Sequence, residues 1–180
     1  RASLLADTLN SVLAQTRQPD EILLIDDGST DDTPAIAARY PQVRYVRTEN
    51  QGKSAAINHA MTLMIGTRLW VVDDDDIVCP DALAKLSAAL EANPSAGFSY
   101  GRHDRFTDPA DGGARIWQDT GYWRDCHPRD FLIATMEDMF THQSGMLFDK
   151  TLLDAIGPFN TGLRRSVDYD YILRAARIST

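Results

Sequence analysis

Short apolar runs alternating with helical periodicity constrain the fold of this chain more than any other feature. "ILLI" at 22–25, "VRYV" at 43–46 and "LWVV" at 69–72 have the length and composition of buried strands. Around them stand apolar residues at helical spacing: Leu5, Leu9, Val12 and Leu13, then Ile57, Met61 and Met64, then Leu83, Leu86 and Leu90. Capping residues fit this reading. Ser3 is placed to cap the first helix. Ser29 or Thr30 is placed to cap the second, which takes Pro34 into its first turn, and Pro80 opens the helix that stops near Asn93-Pro94. Apolar strands separated by helices pair in parallel, because a parallel neighbour is reached only through a long crossover. The expected fold class is therefore α/β, a mostly parallel central sheet flanked by helices.

The regularity fades after Gly97. "GFSYGRHDRFTDPADGGARIWQD" predicts two strands joined by a polar turn, a hairpin. "PRDFLIATM" reads as a helix, "SGMLF" as a strand, "KTLLDAIG" as a helix ending at Gly157, and "SVDYDYILRAARI" as a last helix. No linker or repeat divides the 180 residues, so the expectation is a single domain over 1–180, with a regular half at 1–100 and a smaller mixed half at 101–180. Both ends break off inside helical periodicity, the expectation for a fragment. A hydrophobic share of 43% argues for a packed core, and a net charge of −8 argues against binding nucleic acid or an anionic membrane through net charge. No apolar run approaches the roughly 18 residues that span a bilayer, and no export-signal pattern occurs. Cys79 and Cys126 follow no metal-ligand spacing and read as reduced thiols.

Acids are distributed unevenly. Of 26 acidic residues, 22 are Asp, a residue that favours caps, turns and metal sites over helix interiors. Asp26 and Asp27 follow one predicted strand, and Asp73, Asp74, Asp75 and Asp76 follow another. Ligands of an open parallel α/β sheet bind beyond the carboxyl ends of its strands, so the two clusters meet at a crevice. A divalent cation relieves such a concentration of carboxylates, and Mg²⁺ or Mn²⁺ prefers oxygen ligands. The alternative is a solvated acidic loop at the start of the next helix. There the dipole favours Asp by about 0.3–1 kcal/mol, which accounts for one or two of the four.

In this order, four segments resemble the family 2 glycosyltransferases, inverting enzymes of the GT-A fold that use nucleotide-sugars. They are "LADTLNSVLAQTRQPDEILLIDDGSTDDT", "ENQGKSAAINHAM", "LWVVDDDDIVCPDAL" and "GPFNTGLRRSVDYDYILRAAR", together nearly the whole chain. The resemblance implies a Rossmann-like GT-A fold, with 1–100 binding the nucleotide-sugar and 101–180 the acceptor. It implies that Asp73 and Asp75 form the family's Asp-x-Asp pair, with Asp75 the metal ligand for Mn²⁺ or Mg²⁺ and Asp73 facing the ribose or the metal shell. Asp27 then accepts a hydrogen bond from uracil N3–H, the alternative being that it only starts the turn. Gly28 lets the backbone turn tightly. Lys53 touches a phosphate or the uracil edge, or is a solvated first-turn residue. Asp168 is the candidate base, taking the proton of the acceptor hydroxyl, or else a helix residue favoured by the dipole.

Other residues are weighed beside these. Some relatives add a distant histidine to the metal, a place His142 could take, although a lone histidine is more often a surface residue. Trp117, Tyr122 and Trp123 could stack on an acceptor sugar or pack in the core. Arg164 and Arg165 could meet a diphosphate or an acidic acceptor, or stay solvated. The sequence departs from the family in two ways. Val167 stands where Glu is usual. The chain also opens after the family's first strand, which implies an open neighbouring strand edge and an incomplete base pocket. The implied activity is transfer from a nucleotide-sugar, expected to be a UDP-sugar, to a glycan or lipid-linked acceptor. The expected location is cytoplasmic, at the inner membrane face in the peripheral case. The alternatives are a catalytically impaired glycosyltransferase-like binding module and a nucleotidyltransferase, but the basic Gly-rich phosphate loop expected of the latter is not evident.

Overall fold

The computed structural model describes residues 2–109, 113–118, 124 and 126–179. Seven helices, α1 (Ala2–Leu13), α2 (Thr33–Ala37), α3 (Lys53–Leu63), α4 (Ala82–Ala92), α5 (Phe131–Glu137), α6 (Lys150–Ile156) and α7 (Val167–Ile178), alternate with short strands among these residues. β1 (Leu23–Asp27) pairs in parallel with β2 (Arg44–Thr48), from Leu23 opposite Arg44 to Asp27 opposite Thr48. β3 (Arg68–Trp70) and β4 (Phe98–Tyr100) each run antiparallel to β7 (Met146–Asp149), which lies between them. β3 and β4 are therefore parallel to one another. β5 (Phe106–Thr107) and β6 (Ile116–Trp117) form a small antiparallel pair.

β1 and β3 also point the same way. Near their starts, the Glu21 carboxylate accepts the Ile65 and Gly66 amides, and Glu91 pairs with both Arg17 and Arg68. At their carboxyl ends Asp27 holds Gly52, whose neighbour Lys53 pairs with Asp73. The parallel reading thus holds for β1 to β4, with β7 the antiparallel member. Among the described residues, the edge of β1 away from β2 and the edge of β3 away from β7 have no strand partner. Both edges line a groove of about 880 Å³, walled by Leu5 and Leu9 of α1 and by Ile57 and Ala60 of α3.

Several boundaries differ from the sequence expectation. β1 runs on through Asp26 and Asp27, because its pairing with β2 continues to Thr48. β3 stops at Trp70, its last residue paired with β7, although β7 begins one residue earlier at Met146, which pairs with Tyr100 of β4; Val71 and Val72 lie beyond. α2 starts later than Ser29 or Thr30 would place it, with Asp32 at its cap and the Asp31 carboxylate taking the Thr33 amide and hydroxyl. α1 already includes Ser3, whose side chain lies outside what is described. Pro80 precedes α4, which Asp81 caps. "GFSY" does not enter the hairpin; it becomes β4, on the far side of β7.

The main core gathers around β7. Phe148 and Met146 pack with Phe131, Phe140, Phe159, Tyr171 and Ile172. The Phe159 and Tyr171 rings stack 3.6 Å apart at 3°, and burial pushes the Tyr171 hydroxyl up to about 12. Leu5, Leu9, Ile36 and Val43 form a second cluster over β1, and Leu83, Leu86, Leu90 and Leu147 a third under α4. Cys79 and Cys126 are free thiols. Among the described residues, no helix is long and apolar enough to cross a membrane.

Candidate functional site

At the end of β1 two neighbouring carboxylates do different work. Asp26 is buried, at 3% exposure. Its Oδ1 accepts the Ser29 amide at 2.7 Å, and its Oδ2 accepts the Tyr45 hydroxyl with Arg47 at 3.9 Å. Burial alone would raise this carboxyl, but the Ser29 and Tyr45 hydrogen bonds and the Arg47 charge outweigh it and hold it below the usual carboxylate value. Asp27 faces outward. Its two oxygens accept the Gln51 amide at 2.8 Å and the Gly52 amide at 2.7 Å. Asp27 thus straps the β1 turn to the loop that opens α3. An ionised carboxylate has about four acceptor positions, so two remain for a ligand donor. Gly28 sits between them at φ +76°, where a Cβ would lie 2.9 Å from the Asn50 amide nitrogen. Both the turn and the close approach require glycine.

The strap positions Lys53, the first residue of α3. Its ammonium lies 2.7 Å from Asp73, with side-chain exposures of 41% and 22%. The acidic run is held from two sides. From α1, Thr8 donates to the Asp74 carbonyl at 3.0 Å and Ser11 accepts the Val78 amide; Gln15, just past the end of α1, binds the Cys79 carbonyl and the Leu83 amide. From the loop before β7, the Ser144 hydroxyl accepts the Asp73 amide at 3.1 Å and donates to Asp76. The run closes as a turn, the Asp76 amide donating to the Asp73 carbonyl.

His142, on the same loop, brings Nδ1 to 3.4 Å from Asp76 Oδ2. One ligand atom each from Asp73, Asp76 and His142 lies within 4.8 Å of the others. Two carboxylates and an imidazole at that spacing fit one divalent cation. Asp75, the ligand implied by the family motif, lies within the same turn but outside that group. The His103 ring stands 6.0 Å from His142. Burial, then the neighbouring His142, hold His103 below the usual imidazole value.

Asp168 stands in the first turn of α7, its Oδ1 accepting the Tyr169 amide at 2.9 Å. Asp170 turns away to pair with Arg174 at 2.9 Å. Val167, where the family carries Glu, is buried against the main core. The residue before it, Ser166, is left-handed at φ +55°, the one such non-glycine among the described residues. The approach to α7 is tied to the first half of the chain through Asn58 of α3. The Asn58 side chain accepts the Phe159 amide at 2.7 Å and donates to the Phe159 carbonyl at 2.9 Å, and Ser54 donates to the Asn160 carbonyl.

Asp27, Gly28, Lys53 and Asp73 thus lie on one connected stretch of the site, with Asp75 in its turn, while no hydrogen bond or ion pair of Asp168 among the described residues ties it to that stretch. Trp117 is 62% exposed, and Arg164 and Arg165 are exposed. Tyr122 and Trp123 lie outside the described residues. Ser144, Asn58 and Tyr45 escape the sequence reading. "HQS" after a cluster of acids and "N" in "AAINHA" offered only weak signals.

The chain matches the model of glycosyl transferase family 2 over residues 1–171. It is 30% identical to a chondroitin synthase of Escherichia coli over 174 residues, covering 94% of this chain and 24% of that protein. It is 29% identical to the succinoglycan biosynthesis protein ExoU of Rhizobium meliloti over 199 residues, covering 94% of this chain and 53% of ExoU. The chain thus spans well under two thirds of the length of these relatives. Among solved structures, S. aureus TarS in complex with UDP superposes with a TM-score of 0.74 at 19% identity, over 97% of this chain and 51% of that one. Mannosyltransferase PcManGT from Pyrobaculum calidifontis, in complex with GDP-Man and Mn²⁺, gives 0.65 at 23% identity, over 96% and 47%. The α/β architecture is shared with these GT-A glycosyltransferases, and the chain belongs to glycosyl transferase family 2.

Proposed function

We propose that this domain is an inverting glycosyltransferase that moves a sugar from a UDP-sugar to a hydroxyl of a glycan or lipid-linked acceptor. The observation that carries the reading is the meeting of Asp27, Lys53, Asp73, Asp76 and His142 at the carboxyl ends of β1 and β3. The UDP bound to TarS supports uridine as the base; the GDP-Man of PcManGT makes guanosine the comparison to run. The nucleotide belongs at the acidic end of the groove, where Asp27, Lys53 and Asp73 line it, and not along its length between the β1 and β3 edges. There Asp27 accepts from the base, while Lys53 leaves Asp73 for a phosphate oxygen.

Asp73, Asp76 and His142 would hold the cation, with Asp75, the motif's ligand, beside them. The imidazole favours Mn²⁺ over Mg²⁺, which prefers oxygen donors throughout. When bound, such an ion neutralises the departing diphosphate. Asp168 takes the acceptor proton as that oxygen attacks the anomeric carbon. The bond from that carbon to the diphosphate breaks, and the nucleoside diphosphate leaves with the electron pair. Nucleotide-sugars are supplied in the cytoplasm, so the domain works there, at the inner membrane face for a lipid-linked acceptor.

The test is calorimetric titration of UDP, GDP and dTDP with and without Mn²⁺. Binding selective for UDP is expected, measurable without Mn²⁺ and strengthened by it. Asp168→Asn should keep that binding and lose transfer, whereas parallel loss of both would make Asp168 structural. Asp75→Asn and Asp76→Asn, compared for Mn²⁺ affinity, separate the motif's ligand from the converging set.

A further inference from the structure

Ser144 touches more of the acidic site than any residue the sequence reading singled out. It is 7% exposed and sits in the short turn Gln143–Gly145 that leads into β7. Its carbonyl accepts the Trp70 indole N–H at 2.7 Å, which fixes it to the end of β3. Its hydroxyl accepts the Asp73 amide and donates its one proton to Asp76. Its own amide points at His142 Nδ1 at 3.4 Å. That contact favours the tautomer with the proton on Nε2 and holds Nδ1 beside Asp76, where a cation would take its single lone pair in place of the Ser144 amide.

We propose that Ser144 is the positioning residue of the metal site: it presets Asp76 and His142 as a ligand pair on the first Asp of the run. The inference rests on the metal-dependent reading above. Carboxylates this close repel and swing apart unless a donor holds one of them. A hydroxyl suits this place, because it can donate to the carboxylate and still accept the backbone N–H. An ammonium would occupy the cation's own position, and a methyl group would leave both partners unmet. Residues in this relation to ligands typically set metal affinity by about 10- to 100-fold.

Mn²⁺ binding, read by the loss of the free-ion paramagnetic signal, tests this in Ser144→Ala and Ser144→Thr, beside Mn²⁺-free UDP binding and the urea midpoint. Ser144→Ala should lose about tenfold or more in Mn²⁺ affinity with Mn²⁺-free UDP binding unchanged, and Ser144→Thr should recover most of the loss. Should Ser144→Ala fail to fold, Ser144→Cys, a weak donor of similar size, carries the same expectation. Mn²⁺ affinity within twofold of the parent in the folded variant overturns the proposal, as does equal loss of Mn²⁺-free UDP binding. If the parent protein itself takes up no Mn²⁺, the metal-dependent reading falls and takes this inference with it.

Discussion

Asp26 and Asp27 are adjacent, yet their environments separate them. Asp26 serves the fold, because its pKa is held below the ordinary 3.8. A depressed carboxyl contributes stability above its unfolded value and loses it as pH falls through the folded one. The Asp26 contribution to urea midpoints should therefore hold down to about pH 5 and fall below it, after a separate loss from His103 that sets in as pH falls through its ordinary 6.5. Tyr45→Phe should cost about 1.5–3 kcal/mol at neutral pH, the range for hydrogen bonds to charged groups, and should flatten part of that acid-side fall. An unchanged profile would mean that Arg47 and Ser29 suffice. Asp27 serves the loop, and its effect is transmitted through Gly28. Gly28→Ala forces a side chain into a left-handed turn and against Asn50, so it should cost about 1–3 kcal/mol and weaken UDP binding at least tenfold. The acidic pair was legible as a candidate site. The division between its members was not, since it depends on Tyr45 and on the Gln51 and Gly52 amides, 19 to 25 residues away.

The helices carry the site less by their dipoles than by side chains that grip distant backbone. α1 presents Leu5 and Leu9 to the core and Thr8 and Ser11, with Gln15 just past its end, to the segment after β3. α3 grips Phe159 through Asn58, which couples the first half of the chain to the approach of α7. Asn58→Ala removes both bonds and should cost about 1–3 kcal/mol, measured in urea. If Asp168 depends on that approach, kcat should fall more than UDP affinity does. At α7 itself the strain of Ser166 is relieved by glycine. Ser166→Gly should raise stability by about 1 kcal/mol, a shift of a few degrees in Tm. Lower activity with higher stability would mark that strained turn as part of how Asp168 is aimed. Helix positions were legible because periodicity is local. Strand limits were less so. Val71 and Val72 are as apolar as β3, and the end at Trp70 is marked only by where its pairing with β7, more than 70 residues later, stops. The same distance hid the fate of "GFSY", which pairs with β7 and not with its neighbour in sequence.

At the scale of the molecule, β7 interleaves the two halves, lying between β3 and β4 and carrying the main core on Phe148 and Met146. β1 and β3 instead each show an open edge to the groove. Stability should follow this division, because amides paired on both sides of a buried strand open only with the whole fold. In hydrogen exchange, Leu147 and Phe148 should be among the slowest amides. The unpaired amides of β1 and β3 should exchange orders of magnitude faster. Ligand should then act on the weak part. UDP with Mn²⁺ bridges the Asp27 loop and the Asp73 turn in the proposed reading, so protection should rise at residues 50–53 and 73–76. It should stay constant in β7, whose opening already requires global unfolding. Protection appearing instead along 22–25 and 69–72, with calorimetric binding intact, would move the nucleotide from the acidic end into the apolar groove and remove Lys53 and Asp73 from its recognition.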